Sequence, residues 1–291
     1  MVDLVATLSG EIRRGTDTAS TNSISGGGSA ANTAAWLGAT GKHAVMIGAV
    51  GTDALGAGAI ADLEALGVVS AIERIADAPT GTVIALVHPD GERTMFPDAG
   101  ANLRLSAAHV EHVLRNLAER HPSVHLHVSG YTLLREPTRE SALMALRVAH
   151  ELGVTTSVDP SSTGPIDDVG VTVARDLFSN VDLVIANDEE ALLLARASTT
   201  TQAAQDLTAC APDVIVKCGA AGSLYARRHA EVTRCEATTV EIVDTLGAGD
   251  AFAAGALPAW RARLTPTDVL AAGAALAATC VQHAGARPAA R

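Results

Sequence analysis

Aromatic residues are scarce in this chain, with three Phe, two Tyr and two Trp among 291 residues. A core cannot rest on large rings here. With 48% hydrophobic residues it must be assembled from Ala, Val and Leu, which suits helices packed closely on a parallel sheet. Basic residues are also few, 21 Lys and Arg against 32 Asp and Glu, and no basic run exceeds the pair Arg227-Arg228. A net charge of −11 makes nucleic acid a poor partner. It also obliges any phosphate donor to rely on Mg²⁺ and on local backbone donors. Four cysteines, Cys210, Cys218, Cys235 and Cys280, show no C-x-x-C spacing and no framework pattern. They are expected to be reduced, buried thiols of an intracellular, cytoplasmic protein. No run of 18 apolar residues occurs, and no basic stretch followed by an apolar one opens the chain, which argues against membrane spanning and secretion. A Walker A motif is absent as well: Gly41-Lys42 is followed by His43, and Trp36 stands where the first glycine would be.

What is present reads as alternating strands and helices. Met1–Ala6 looks like the end of a strand, and a polar stretch, Ser20–Ser25, leads to Gly26-Gly27-Gly28. An Ala-rich helix is expected over 29–37, a strand over 45–50, and a helix over 53–66 with Asp53 as candidate N-cap. Thr82–His88, the turn Pro89-Asp90-Gly91 and Arg93–Phe96 carry a hairpin signal. Beyond Ser106 the expected order is helix 106–119, strand 124–129, helix 137–152, strand 154–159, strand 183–186, a short helix from Glu189, strand 214–218, and helices 251–260 and 267–283. Repeated units of this kind indicate an α/β fold with a parallel sheet covered on both faces. No internal repeat or linker divides the chain, so a single domain over 1–291 is expected. The hairpin at 80–98 and the polar segment at 10–25 would form a small β lid.

The most informative stretch is Asp244-Thr245-Leu246-Gly247-Ala248-Gly249-Asp250-Ala251-Phe252. Two glycines just before a helix let successive N–H groups turn toward one point, and the helix dipole adds positive potential. That is an anion cradle. A carboxylate within it would repel phosphate, unless Asp250 takes the proton of a hydroxyl that attacks phosphorus. The run resembles the D-T-x-G-A-G-D-x-F signature of the ribokinase-like (PfkB) carbohydrate kinases. The resemblance implies a three-layer α/β/α sandwich with a mostly parallel sheet and a small β lid. It implies Asp250 as catalytic base, with Gly247, Ala248 and Gly249 as the anion hole.

A second stretch, Gly27-Gly28-Ser29-Ala30-Ala31-Asn32, then Leu37-Gly38 and Gly48-x-x-Gly51-x-Asp53-x-x-Gly56, resembles the N-terminal signature of the same family. It assigns substrate contacts to Gly27, Gly28 and Asn32. The rival dinucleotide fingerprint, G-x-G-x-x-A over Gly26–Ala31, needs an apolar strand directly before it, and Thr18–Ser25 is too polar for one. Asp3 stands where the family's carboxylate grips two substrate hydroxyls, although most of the family's first strand is absent. The plain alternative is a solvated terminal Asp.

Asn187-Asp188-Glu189-Glu190 fits the family's N-x-x-E, so Asn187 and, through water, Glu190 are the implied Mg²⁺ residues. An acidic helix start by itself more often balances the dipole. Val216-Lys217-Cys218-Gly219-Ala220-Ala221-Gly222 resembles the nucleotide-binding turn before a β-hairpin, which adds Lys217, Gly219 and Gly222 to Thr245, Gly247 and Gly249 as ATP-binding residues. Cys218 is better taken as packing. Arg93–Asn102 resembles the lid-return segment ending in G-A-N, and Pro160-Ser161-Ser162 departs from the family's D-P-N after Asp159. His125 and His127 share a face of one strand and read as a polar edge pair rather than a metal site, with His121 nearby. The implied function is ATP- and Mg²⁺-dependent phosphorylation of a hydroxymethyl group on a small sugar or sugar acid. A nucleoside acceptor of the adenosine type and a non-catalytic sugar or nucleotide sensor stand as alternatives. A monovalent cation and a homodimer formed through the lid complete the expectations, with no nucleic acid or membrane partner.

Overall fold

Val2–Leu8, rich in Val, Leu and Thr, forms the first strand of the protein. The computed structural model describes residues 1–90 and 92–289, so Gly91 of the expected Pro89–Gly91 turn lies outside the described residues. Two units can be distinguished, Met1–Leu105 with the tail from Gly285, and Ser106–Ala284. The first contains β1 (Val2–Leu8), β2 (Ser20–Gly26), α1 (Ser29–Ala39), β3 (Ala44–Gly51), α2 (Ala54–Ala65), β4 (Val68–Ile75), β5 (Thr82–Val87) and β6 (Arg93–Asp98), closed by a 3₁₀ turn at Gly100–Arg104. Four strands make one sheet in the order β2-β1-β5-β6, with β1 and β5 parallel and the outer pairs antiparallel. The polar stretch is thus a strand after all. It tolerates Ser, Thr and Asn because it is an exposed edge, and Pro97 is tolerated on the opposite edge for the same reason.

β3 and β4 form a separate parallel pair. Ala31, Ala34 and Ala35 of α1 pack with Ala44, Leu63, Leu66 and Val68, small side chains that let the helix lie close to the strands. Strand β4 was not legible because Ser70, Glu73 and Arg74 interrupt its apolar run. Asp53 caps α2 by accepting from the Gly56 N–H at 2.8 Å, and it accepts the Thr80 N–H and Oγ–H at 2.7 Å each. Those bonds, the Thr80 hydroxyl first, hold its carboxyl below the ordinary range. The Asp of the G-x-D-x-x-G stretch is therefore tied into backbone structure.

The second unit continues with α3 (Ala107–Arg120), β7 (His125–Ser129), α4 (Gly130–Leu134), α5 (Glu136–Glu151), β8 (Thr155–Asp159), α6 (Thr163–Val169), α7 (Val171–Leu177), β9 (Leu183–Asn187), α8 (Asp188–Ala195), α9 (Thr200–Leu207), β10 (Asp213–Lys217), β11 (Ser223–Arg227), β12 (Thr233–Cys235), α10 (Ala248–Arg261) and α11 (Pro266–Val281). Its six strands run β12-β11-β10-β9-β8-β7, parallel from β7 to β10 and antiparallel beyond. The pleat sends alternate residues to two cores. Val184, Ala186, Val214 and Val216 face the α4–α9 side, while Leu183, Ile185, Ile215 and Tyr225 face α10 and α11. This is a three-layer α/β/α sandwich with a mostly parallel sheet. Each fully buried Leu or Ile, such as Leu194, Leu207 and Ile215, contributes about 1.5–3 kcal/mol by leaving water. No helix among the described residues is long and apolar enough to cross a membrane.

Candidate active site

All four parallel strands end in polar residues: β7 in Ser129, β8 in Asp159, β9 in Asn187 and β10 in Lys217. Carboxyl ends of strands are where α/β sheets collect ligand chemistry. Here the Lys217 Nζ donates to Asp159 Oδ2 at 2.6 Å, with the two side chains 13% and 5% exposed. The other carboxylate oxygen of Asp159 accepts the Ser161 N–H at 2.9 Å. Burial disfavours the Lys217 charge, but Asp159 and Glu190 together outweigh it and raise the ammonium above its usual range. Asp250 acts in the same direction.

Asn187 and Glu190 close a capping box at the start of α8. Asn187 Oδ1 accepts the Glu190 N–H at 2.7 Å. Glu190 Oε2 accepts the Asn187 N–H, and its Oε1 accepts from Asn187 Nδ2, both at 2.9 Å. Glu190 is only 1% exposed. Burial, reinforced by the charge of Asp159 and opposed by Lys217, pushes its carboxyl up to about 7.

The glycine-rich loop leads into α10 three residues earlier than the sequence suggested. Gly247 is the N-cap with φ 76°, Ala248 opens the helix, and Asp250 lies in its first turn. No side chain caps this terminus. Just before the cap, the Leu246 N–H is donated to Asp244 Oδ1 at 2.8 Å. A Cβ on Gly249 would stand 3.1 Å from Lys217 Nζ, so the ammonium lies against the first turn of α10. Behind the loop, Cys280 donates to the Leu246 carbonyl. The Gly219–Gly222 turn is a 3₁₀ turn closed by Cys218 N–H to Gly222 O at 2.8 Å. Gly222 has φ 89°, and any side chain there would collide with the Cys235 carbonyl.

In the first unit, Asp3 and Asn32 are each 5% exposed. Burial raises the Asp3 carboxyl, although the Met1 amine and Arg287 pull the other way. Gly28, with φ 93°, is the N-cap of α1, and no side chain caps it. A Cβ on Gly27 would run into the Asp3 carboxylate, so glycine is what permits their close approach. Arg287 enters from the C-terminal tail. Its Nε donates to Asn32 Oδ1 at 3.0 Å and its Nη2 to Gly27 O at 2.8 Å, while Trp36 Nε1 donates to Ala286 O at 3.0 Å.

The family described as pfkB family carbohydrate kinase matches residues 1–291. This chain belongs to that family. Among curated relatives, an ATP-dependent ribose-1-phosphate kinase of Halopiger xanaduensis is 34% identical over 84% of this chain and 75% of its own length. A ribokinase of Schizosaccharomyces pombe is 27% identical over 63% of this chain, and the match spans little more than half of that protein, 56%. Among solved structures, the adenosine kinase from Sinorhizobium meliloti superposes with a TM-score of 0.84 at 26% identity, over 99% of this chain and 93% of that one.

Within this pfkB chain the structure gathers the sequence-derived residues into two groups. Asp3, Gly27, Gly28 and Asn32 stand together in the first unit. Asn187, Glu190 and Lys217 stand together in the second, with Gly249 and Asp250 at the cradle and Thr245 and Gly247 in the loop before it. Gly219 and Gly222 follow Lys217 in the turn. Sequence reasoning missed Asp159 and Arg287. The D-P sequence after β8 was the available signal for Asp159; for Arg287, 255 residues from Asn32, spacing held none. His125 and His127 both bond the Ser157 hydroxyl, at 2.8 Å, and His125 stacks edge-on against Trp260. Phe96 lies in one cross-strand row with Ile84, Leu4 and Ile24. Asp3 belongs to the next row, so it projects from the opposite face of that sheet.

Proposed function

We propose that this chain transfers the γ-phosphoryl group of ATP to a hydroxymethyl group of a small sugar or sugar acid. The observation that carries the reading is Asp250 in the first turn of a helix whose N-cap is a positive-φ glycine, with the Lys217 ammonium against the same turn. Asp250 takes the hydroxyl proton. The N–H groups of Gly247 and Gly249, with Lys217, hold charge that develops on the transferred group, joined by the Ala248 N–H once it leaves the Thr245 carbonyl to which it donates at 3.3 Å. Thr245, Gly219 and Gly222 line the nucleotide. Asp3, Gly27, Gly28 and Asn32 take the substrate hydroxyls, and the two units serve as one kinase domain with the four-stranded sheet as its lid.

Asn187 and Glu190 suit an outer-sphere metal role. Their oxygens are hard donors already engaged with each other, so they would orient metal-bound water rather than ligate directly. When bound, Mg²⁺ supplies neutralisation of phosphate charge. A monovalent cation remains part of the proposal, to be tested by comparing potassium with sodium buffers. The exposed row of Ile24, Ile84 and Phe96 supports a homodimer through the lid, and Phe96→Glu should shift its sedimentation toward monomer.

The deciding test is ATP consumption with Mg²⁺ against pentoses, hexoses, keto-sugar acids, sugar phosphates and nucleosides. A substrate whose turnover disappears in Asp250→Asn supports the assignment. Full activity in that variant removes the base. The likeness to an adenosine kinase keeps nucleosides in the panel, whereas the position of Phe96 opposite Asp3 counts against a stacked base. Silence with every acceptor while ATP binds would favour the sensor.

A further inference from the structure

Arg287 puts a guanidinium among residues for which the reading above needs only hydroxyl partners. The placement is fixed from both sides. The tail is pinned by the Trp36 Nε1 bond to Ala286 O, and Trp36 is itself buried. Arg287 then reaches Asn32 Oδ1 and Gly27 O, the side chain of one proposed substrate residue and the backbone of another. Glycine at 26 is what admits it: a Cβ there would collide with the Arg287 Nη1. Gly26 and Gly27 therefore thread between a guanidinium on one side and the Asp3 carboxylate on the other.

A neutral polyol is satisfied by a carboxylate acceptor and an amide. A guanidinium adds something else. It is a planar fork of N–H donors that stays charged at every working pH and matches carboxylate and phosphate oxygens. In a chain with a net charge of −11, a cation held at this place is also the local attraction an anionic small molecule requires. We infer that Arg287 reads an anionic substituent on the acceptor, so that the substrate is a sugar acid or sugar phosphate rather than a neutral sugar. This rests on the reading of Asp3, Gly27 and Asn32 as the acceptor site. Arg287 is a specificity-determining residue, separate from the proton transfer at Asp250.

The test uses ribose, ribonate and ribose 1-phosphate as acceptors, with both equilibrium binding and turnover measured on the full chain. Wild type is expected to favour at least one anionic acceptor over ribose by about 100-fold or more in kcat/KM, mostly through KM, as expected for a charge-assisted contact. Arg287→Met should collapse that preference to within about 3-fold, and Arg287→Lys should keep part of it, since charge without the fork retains attraction but loses geometry. Thermal melting of both variants checks that they fold, and Arg287→Lys carries the comparison if Arg287→Met does not. Ribonate against ribose 1-phosphate separates carboxylate from phosphate. Equal losses for ribose and the anionic acceptors would mean that Arg287 only holds Asn32 and Gly27 in place, and would overturn the inference. So would a wild type that prefers ribose. Arg287-dependent binding of an anionic acceptor without turnover would leave this inference standing while removing the kinase reading; turnover of ribose alone would do the reverse.

Discussion

Removing the charge of Asp159 should destabilise the protein more than any other single change at the strand ends. Asp159 and Lys217 meet at 2.6 Å with little exposure on either side. At that separation their attraction is about 6 kcal/mol for an effective dielectric of about 20, set against several kcal/mol spent in desolvating each ion. Breaking a buried pair from one side normally costs about 3–5 kcal/mol because the remaining charge is stranded. Glu190 moderates this case. Its carboxyl stands up at about 7, partly because Asp159 is charged, so loss of Asp159 lets Glu190 ionise more fully and support Lys217. The expected loss for Asp159→Asn is therefore about 2–4 kcal/mol, measured by urea unfolding at pH 7. Asp159→Asn combined with Lys217→Met should recover stability to within about 1 kcal/mol of wild type, since neither charge of the pair is left stranded and Glu190 can take up a proton. A loss below about 1 kcal/mol in the single variant, or no recovery in the double, would refute the description of this pair.

Asp250→Asn should fold and bind ATP as wild type does while turnover falls by roughly 10²–10⁴, read from single-turnover kinetics. His127, whose Nε2 is buried without a hydrogen-bond partner among the described residues, is held down to about 4 from 6.5, by burial first. The unfolded chain takes up this proton near 6.5 and the fold resists it, so stability is present above that pH and lost as pH falls toward 4. Wild type should lose up to about 3 kcal/mol more than His127→Gln between pH 7 and 4, and parallel pH profiles would sink the idea. Gly222→Ala should cost about 1–3 kcal/mol in thermal unfolding, since both the positive φ and the Cys235 carbonyl oppose a Cβ; a neutral effect would show that the turn relaxes.

The second unit was most legible where its strands are unbroken apolar runs: Leu183–Ala186 and Val214–Val216 have no polar residue to confuse the period. The four-stranded sheet was only partly so. Its hairpin carried the usual alternation, but Ser20–Gly26 satisfies a sheet edge with side chains that by composition belong to a loop. The short helices α6, α7 and α9 left too little periodicity to read. At the candidate site, backbone-borne chemistry was visible as glycine spacing. The ion pair of Asp159 with Lys217 and the reach of Arg287 to Asn32 join residues 58 and 255 positions apart, and only packing brings such partners together.

The bonds from Trp36 to Ala286 and from Asn32 and Gly27 to Arg287 each close a loop of at least 250 residues. On the ribosome, α1 emerges early and must wait while the entire second unit is made and folds as the first complete body. The proposed acceptor pocket is therefore assembled only after Ala286 and Arg287 have been made. A chain ending between Val281 and Ala286 would contain every strand and helix of the sandwich and still lack the proposed acceptor site's Arg287. Translation itself thus delays the proposed acceptor site until the strands and helices of the sandwich have been made.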